Sequence, residues 1–174
     1  MGSVVCLSYS LPLYQNRRLK DVPLLKTFFA PSIVLLSIFG LPIIHGNIPD
    51  RFGVLLLTAI WAWGYMLCNM LLCDLRDLRG DRKTGVKSLP VQLGRKATHR
   101  LLWILIACTG GLATLLAAFP GSSARGFWFF LAILGSLYVG GLAWAARQRR
   151  SERFYEWWVE GMLFVPAVIV ALLK

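Results

Sequence analysis

Residues 52–90 read FGVLLLTAIWAWGYMLCNMLLCDLRDLRGDRKTGVKSLP, an apolar run that ends in a dense cluster of charges. Three aspartates, Asp74, Asp77 and Asp81, are spaced three and four residues apart, so one face of a helix would carry all three carboxylates. The basic residues in and after this cluster are Arg76, Arg79, Arg82, Lys83 and Lys87. Carboxylates at the end of a membrane-spanning segment are costly to place and commonly mark a functional site.

This mixture of charges predicts a site for a divalent cation and a polyphosphate. Carboxylate oxygens are ligands that hard cations prefer, and Arg and Lys donate charge-assisted hydrogen bonds to phosphate oxygens. A solvated loop whose aspartates pair with its own arginines is an open alternative on charge pattern alone. An EF-hand is excluded, because its D-x-D-x-D-G order is absent.

The composition places the whole chain in the membrane class. Hydrophobic residues make up 57% of the 174 residues, and the mean hydropathy is +0.62. Long windows without charge predict about five spanning helices in a single membrane domain covering residues 1–174. The predicted spans cover residues 24–44, 52–73, 101–119, 126–146 and 157–173. Residues 1–14 are apolar but too short to span, and we interpret them as part of a further helix.

The distribution of basic residues supports the same segmentation. All but three of the 19 Lys and Arg residues lie in residues 14–26, 74–100 and 147–155, and five spans place these three segments on one side. The positive-inside rule makes that side, with the Asp-rich loop, cytoplasmic. The net charge of +11 therefore reflects loop asymmetry and some attraction to anionic headgroups, and we predict no nucleic-acid partner.

Residues 74–94, DLRDLRGDRKTGVKSLPVQLG, resemble the second aspartate-rich motif of the UbiA-type intramembrane prenyltransferases. That motif has the form D-x-x-D-x-x-G-D-R-x-x-G-x-x-T-L-P-x-x-x-G and lies between two spanning helices. Residues 9–26 are similar to the Tyr- and Lys-bearing loop that follows the fourth helix of the family. The resemblance implies an all-α bundle, of which this chain would be the C-terminal part of a nine-helix fold around a central cavity.

The resemblance also implies an activity. The family transfers a prenyl group from an isoprenyl diphosphate to an aromatic or other lipophilic acceptor, as in quinone and related prenyl-lipid biosynthesis, with Mg²⁺ as cofactor. A bound Mg²⁺ would offset the charge that builds on the departing diphosphate. Membrane lipid would surround the bundle, and the prenyl tail would lie between apolar walls.

Individual roles follow from the same resemblance. The predicted metal ligands are Asp74, Asp77 and Asp81. The predicted catalytic residues are Asp77, Asp81 and Lys20. The predicted substrate-binding residues are Tyr9, Arg18, Lys20, Asn69, Arg82 and Lys83.

The chain contains no match to the first aspartate-rich motif of the family, which has the form N-x-x-x-D-x-x-x-D. Only half of a metal site shared between two acidic motifs is therefore expected here. Three interpretations are open: the C-terminal part of a longer enzyme, a split enzyme whose first acidic motif comes from a partner chain that supplies the N-terminal helices, and a non-catalytic membrane protein. The last would bind a prenyl diphosphate, a lipid or a partner protein.

Overall fold

The computed structural model of the chain describes residues 12–14, 17–18, 25–46, 52–119, 124–148 and 150–173. Most of these residues are helical, and the predicted all-α membrane bundle is confirmed. Of the helices in these ranges, four are long and apolar enough to cross a membrane. The first predicted span contains a shorter apolar helix, Thr27–Gly40.

The expected helix at residues 1–14 lies largely outside the described residues. Its last three residues, Pro12–Tyr14, form a short strand, β1, that pairs antiparallel with β2, Arg17–Arg18. These three residues are therefore extended and not helical.

The remaining elements are six helices, which we number in chain order within the described ranges. Helix α1 consists of Leu25–Leu35, a π-helical turn at Leu36–Gly40, and Leu41–Ile44. The next three are α2 (Phe52–Thr84), α3 (Leu89–Leu93) and α4 (Arg95–Ala118). The last two are α5 (Arg125–Ala145) and α6 (Glu152–Leu172). Helix α5 contains a π-helical turn at Leu131–Gly135. Helix α6 contains a π-helical turn at Tyr155–Val159 and then a 3₁₀ turn at Glu160–Phe164.

Helix α2 is longer than the predicted span, which ended at Cys73. Its 33 residues correspond to about 50 Å, whereas the hydrocarbon layer of a membrane is about 30 Å thick. The helix continues because Leu75 and Leu78 stay buried at helical spacing beyond the apolar run. It ends at Thr84, and the next residue, Gly85, has a φ of +73°, which allows the Val86 N–H to donate to the Asp81 carbonyl at 2.9 Å.

Helix α2 packs against α1, α4 and α6, and α4 packs against α5. Close helix approach depends on small residues. A Cβ added at Gly64 of α2 would lie 2.8 Å from the Thr109 side chain of α4, and one added at Gly110 would lie 2.6 Å from Ser136 Oγ of α5. These two glycines therefore allow the backbones to approach as membrane helices commonly do.

The charged ends of α4 and α5 are joined by one arginine. Arg95, at the start of α4, donates from Nη2 to the carbonyl oxygens of Ala146 at 2.8 Å and Arg147 at 3.1 Å. These carbonyls follow the last turn of α5, where no further helical N–H is available. Arg95 thus caps α5 from a neighbouring helix and fixes the relation between the two ends.

Candidate functional site

The three predicted aspartates all lie on the regular part of α2 and not on an unravelled end. A helix advances about 100° per residue, so Asp74, Asp77 and Asp81 fall within roughly 60° of one another around its axis. Asp74 and Asp81 are, however, about 10 Å apart along that axis. Among the described residues, no three His, Cys, Asp or Glu side chains form a group that could hold a metal ion. The aspartates share a face, but the structure does not assemble them into one ligand set.

Asp74 lies at the interface between α1 and α2. Its side chain is buried, and the buried Thr27 of α1 donates from Oγ1 to Asp74 Oδ2 at 2.6 Å. This hydrogen bond is buried, so it is electrostatically stronger than the same bond in water. Asp74 therefore joins two helices and is separated from the cavity that its two neighbours line.

Asp77 and Asp81 line a cavity that Asp74 does not reach, and we call it the acidic cavity. This cavity has a volume of about 620 Å³ and lies between the end of α2 and the start of α6. Its lining residues are Arg76, Asp77, Gly80, Asp81, Thr84, Glu152 and Glu156. Asp81 is buried, with 7% of its surface exposed, while Asp77 is half-buried. Two of the three predicted metal ligands thus reach one cavity.

Sequence reasoning did not predict Glu152 and Glu156 as part of this site. They lie four residues apart in the first turns of α6, so both can face the same direction. The signal that could have indicated them is a pair of acidic residues, four apart, next to the basic segment that precedes the last span. Their contribution makes the acidic cavity a place where four carboxylates face one arginine.

Arg76 connects this cavity to α6. Its Nε donates to Asp77 Oδ1 at 2.8 Å and its Nη2 to Asp77 Oδ2 at 3.3 Å, which is a bidentate ion pair. Its guanidinium also lies over the ring of Tyr155, 5.7 Å from the centroid. The side chain is therefore oriented by contacts from two helices.

A second cavity, the arginine cavity, adjoins the acidic one. It has a volume of about 390 Å³, and it shares Arg76 and Glu152 with its neighbour. Its lining residues are Leu75, Arg76, Leu78, Arg79, Arg82, Arg95, Arg150, Glu152 and Tyr155. Five guanidinium groups against one carboxylate favour an anionic ligand. Arg82 was predicted from the sequence to bind substrate, whereas Arg95 and Arg150 come from distant parts of the chain and were not.

Helix α6 is held beside these cavities by side chains that bond to its backbone. At the junction of its π-helical and 3₁₀ turns, the regular ladder of hydrogen bonds is interrupted. Asn69 Nδ2 donates to the Val159 carbonyl at 2.7 Å, and Tyr65 Oη donates to the Met162 carbonyl at 2.8 Å. Asn69, predicted to bind substrate, thus directs its amide to the backbone of α6.

The other predicted substrate-binding residues are not brought to either cavity by the described residues. Lys83 is exposed on α2 and lines neither cavity. Tyr9, Lys20 and the side chain of Arg18 lie outside the described residues. Their roles stay predictions.

The contact between Thr27 and Asp74 is testable by substitution. Thr27→Val preserves the shape of the side chain but removes a donor from a buried carboxylate, so we expect a loss of about 1.5–3 kcal/mol in the free energy of unfolding. Thermal unfolding in detergent, followed by tryptophan fluorescence, measures the change. The matched control is Thr58→Val, because the Thr58 hydroxyl bonds only its own helix, at the Val54 carbonyl. Equal melting temperatures for the two variants would contradict an interhelical role for Asp74.

The sequence of the chain is similar to those of several known proteins. A model of the UbiA prenyltransferase family matches residues 1–165. The digeranylgeranylglyceryl phosphate synthase of Thermococcus gammatolerans is 29% identical over 115 residues, which is 65% of this chain and 38% of that protein. The enzyme of the same name from Methanosarcina mazei is 28% identical over 144 residues, 79% of this chain and 43% of that protein.

A relative with a different name matches a shorter part of the chain. The bacteriochlorophyll synthase 33 kDa chain of Cereibacter sphaeroides is 37% identical over 90 residues, 47% of this chain and 27% of that protein. The chain spans less than half the length of each of these three relatives. No solved structure matches it.

Proposed function

The chain belongs to the UbiA prenyltransferase family, and from this premise we propose that it forms the diphosphate-binding part of a Mg²⁺-dependent prenyltransferase. It is a multi-pass membrane protein. The observation that carries the proposal is the pair of adjoining cavities at the charged end of α2, one lined by carboxylates and one by arginines. A magnesium diphosphate needs both kinds of group, because the metal binds carboxylate oxygens and the phosphate oxygens accept hydrogen bonds from cations.

The residues that would hold Mg²⁺ are Asp77 and Asp81, which both line the acidic cavity, and Asp77 would exchange its ion pair with Arg76 for the metal. Their hard oxygen donors fit this ion, which is commonly bound by one or two carboxylates together with substrate phosphates and waters. When bound, the metal neutralises charge on the leaving diphosphate. Asp74 takes no part in this proposal, because it bonds to Thr27 and does not line the cavity.

The arginine cavity would receive the diphosphate. Arg79 and Arg82 of α2 and Arg150 before α6 can donate to its oxygens as the C–O bond to the prenyl group breaks and the electron pair leaves with the diphosphate. The allylic carbon then bonds to the nucleophilic atom of a lipophilic acceptor, which loses a proton. Lys20 and Arg18 are proposed to approach the same diphosphate from the N-terminal loop.

The proposal includes a second contributor to the metal site. Another segment of a longer protein, or a separate chain, would supply the further acidic motif that the family uses. The share of each relative that the chain covers, 38% and 43% for the two archaeal proteins, supports such a contributor. The alternative function is binding of a prenyl diphosphate without transfer of its prenyl group.

The membrane orientation is part of the proposal. The basic ends of α2, α4 and α5 lie on the side that the positive-inside rule assigns to the cytoplasm. A soluble diphosphate substrate of cytoplasmic origin would then reach both cavities directly. The test is to label a cysteine introduced at Lys87, in a variant whose four native cysteines are replaced, in intact cells and in permeabilised cells. Labelling by an impermeant reagent only after permeabilisation is expected, and labelling of intact cells would contradict this orientation.

Binding of geranylgeranyl diphosphate to the chain in lipid nanodiscs tests the function. This probe carries the prenyl group in the names of two relatives. We expect titration calorimetry to detect binding of the diphosphate when Mg²⁺ is present, and we expect a chelator of Mg²⁺ to abolish that binding. Equal binding with and without Mg²⁺ would overturn the metal assignment, and absence of binding would overturn the site. Mg²⁺-dependent binding without transfer, after every contributing chain and candidate acceptor is supplied, would favour the non-catalytic alternative.

A further inference from the structure

We propose that the basic ends of α4 and α5 form a binding site for the headgroup of an anionic phospholipid. The site is a cavity of about 530 Å³, which we call the interfacial cavity. Its lining residues are Arg95, Lys96, His99, Arg100, Trp103 and Arg147. It shares only Arg95 with the arginine cavity and no residue with the acidic cavity, so it is a separate site. The inference does not rest on prenyl transfer.

The charge of the interfacial cavity is unbalanced. Four of its six lining residues are cationic and none is acidic. Arg95 is engaged with the end of α5, but Lys96 and Arg100 make no hydrogen bond or ion pair with any residue in the described part of the chain. Basic pockets between spanning helices at the cytoplasmic side bind anionic headgroups, because the phosphate replaces the missing counter-charge.

His99 gives a second indication of a ligand. Both of its ring nitrogens are screened from solvent, and neither has a hydrogen-bond partner among the described residues. Buried polar atoms are normally paired, and an exception calls for an explanation such as a bound group. A headgroup seated in the interfacial cavity would lie against this ring, and a small rotation of the ring would bring one nitrogen to a headgroup oxygen.

Trp103 forms the floor of the cavity and is fixed in place by α5. The Arg147 guanidinium lies over its ring at 6.0 Å from the centroid. The Cβ position of Gly140 lies 3.4 Å from the ring, at van der Waals distance, so Trp103 packs against α5. Tryptophan at the level of the headgroups is typical of membrane proteins.

The surface next to the cavity identifies a lipid in preference to a soluble phosphate. One helical turn beyond Trp103, Ala107 is exposed on the same face of α4. Leu137 and Trp144 of α5 lie three residues before and four residues after Gly140, on the same face of α5, and are 68% and 64% exposed. Acyl chains can cover this apolar face while the phosphate occupies the cationic cavity above it. Inorganic phosphate would satisfy only the charges.

The test compares two triple variants of the full chain. Lys96→Gln/Arg100→Gln/Arg147→Gln removes three cations from the cavity but keeps Arg95, which caps α5. The control, Lys87→Gln/Arg125→Gln/Arg153→Gln, removes the same charge from exposed positions elsewhere. Native mass spectrometry in detergent, with added phosphatidylglycerol, measures the affinity for the lipid. Each cation near an anionic surface contributes about fivefold in affinity, so we expect the cavity variant to bind on the order of 100-fold more weakly.

Three outcomes would overturn the proposal. The two triple variants could bind phosphatidylglycerol equally, the unmodified chain could bind phosphatidylcholine as tightly, or soluble glycerol 1-phosphate could displace the lipid at equal concentration. The last result would identify a soluble-phosphate site. If the cavity variant does not fold, Lys96→Gln/Arg100→Gln replaces it, with an expected loss of about 30-fold. Trp103→Leu should weaken binding of the lipid but leave binding of glycerol 1-phosphate unchanged.

Discussion

Replacement of Asp81 or Asp77 with asparagine is expected to lower the rate of prenyl transfer by on the order of 100-fold or more, in any preparation that catalyses the reaction. Both carboxylates line the acidic cavity, where they are the proposed ligands of Mg²⁺. Asparagine keeps the shape of the side chain but removes the negative charge. The leaving diphosphate would then lose the group that neutralises it.

The dependence on Mg²⁺ concentration separates a role in metal binding from a structural role. Each variant should require more Mg²⁺ for half-maximal binding of geranylgeranyl diphosphate, whereas a misfolded protein would lose binding at all concentrations. Glu160→Gln is the matched control, because Glu160 is an exposed carboxylate of α6 that lines neither cavity. Unchanged transfer by Asp77→Asn and Asp81→Asn would show that these carboxylates do not hold the metal.

The membrane fold could be predicted because its determinants are local. Long uncharged runs identify spans, and the three basic segments fix which ends lie together. The end of α2 could not be predicted from hydropathy, since the helix continues for eleven residues past the apolar run on the burial of Leu75 and Leu78. The burial of these two leucines depends on the other helices that pack against the charged end of α2, and the sequence of α2 alone does not reveal it.

The site could be predicted in part. The spacing of Asp74, Asp77 and Asp81 correctly indicated one face of a helix, but their different surroundings depend on what packs against each turn. Thr27 reaches Asp74 from α1, while Glu152 reaches the acidic cavity from the start of α6. Both contacts join parts of the chain that are far apart in sequence, and no local pattern reveals them. The placement of α6 thus decides which side chains share the acidic cavity with Asp77 and Asp81.

The double substitution Tyr65→Phe/Asn69→Leu is expected to detach α6 from α2. Each change removes a donor and leaves a backbone carbonyl, at Met162 or Val159, without its partner inside the bundle. Such a loss costs about 1–2 kcal/mol in a membrane protein, so the pair should cost roughly 2–4 kcal/mol in the free energy of unfolding. Thermal unfolding in detergent, followed by tryptophan fluorescence, measures this loss.

The control for this experiment removes the same number of hydrogen bonds without separating helices. Thr58→Val/Thr114→Val is suitable, because these hydroxyls bond carbonyls of their own helices at 2.8 and 2.6 Å, and we expect little change in stability. Tyr138→Phe provides an intermediate case. Its hydroxyl also donates to α6, at the Trp158 carbonyl, but this bond is exposed and its loss should cost less.

The same double variant links the docking of α6 to the proposed function. Tyr65 and Asn69 hold the irregular turns of α6, and the first of those turns begins at Tyr155, shortly after Glu152, and contains Glu156. If α6 moves, the acidic cavity loses two of its four carboxylates, and Mg²⁺-dependent binding of geranylgeranyl diphosphate should weaken more than in the threonine control. A variant that unfolds at lower temperature but binds the diphosphate normally would separate the two properties. The carboxylates of α6 would then lie outside the site, and Asp77 and Asp81 would have to find their partners in another segment.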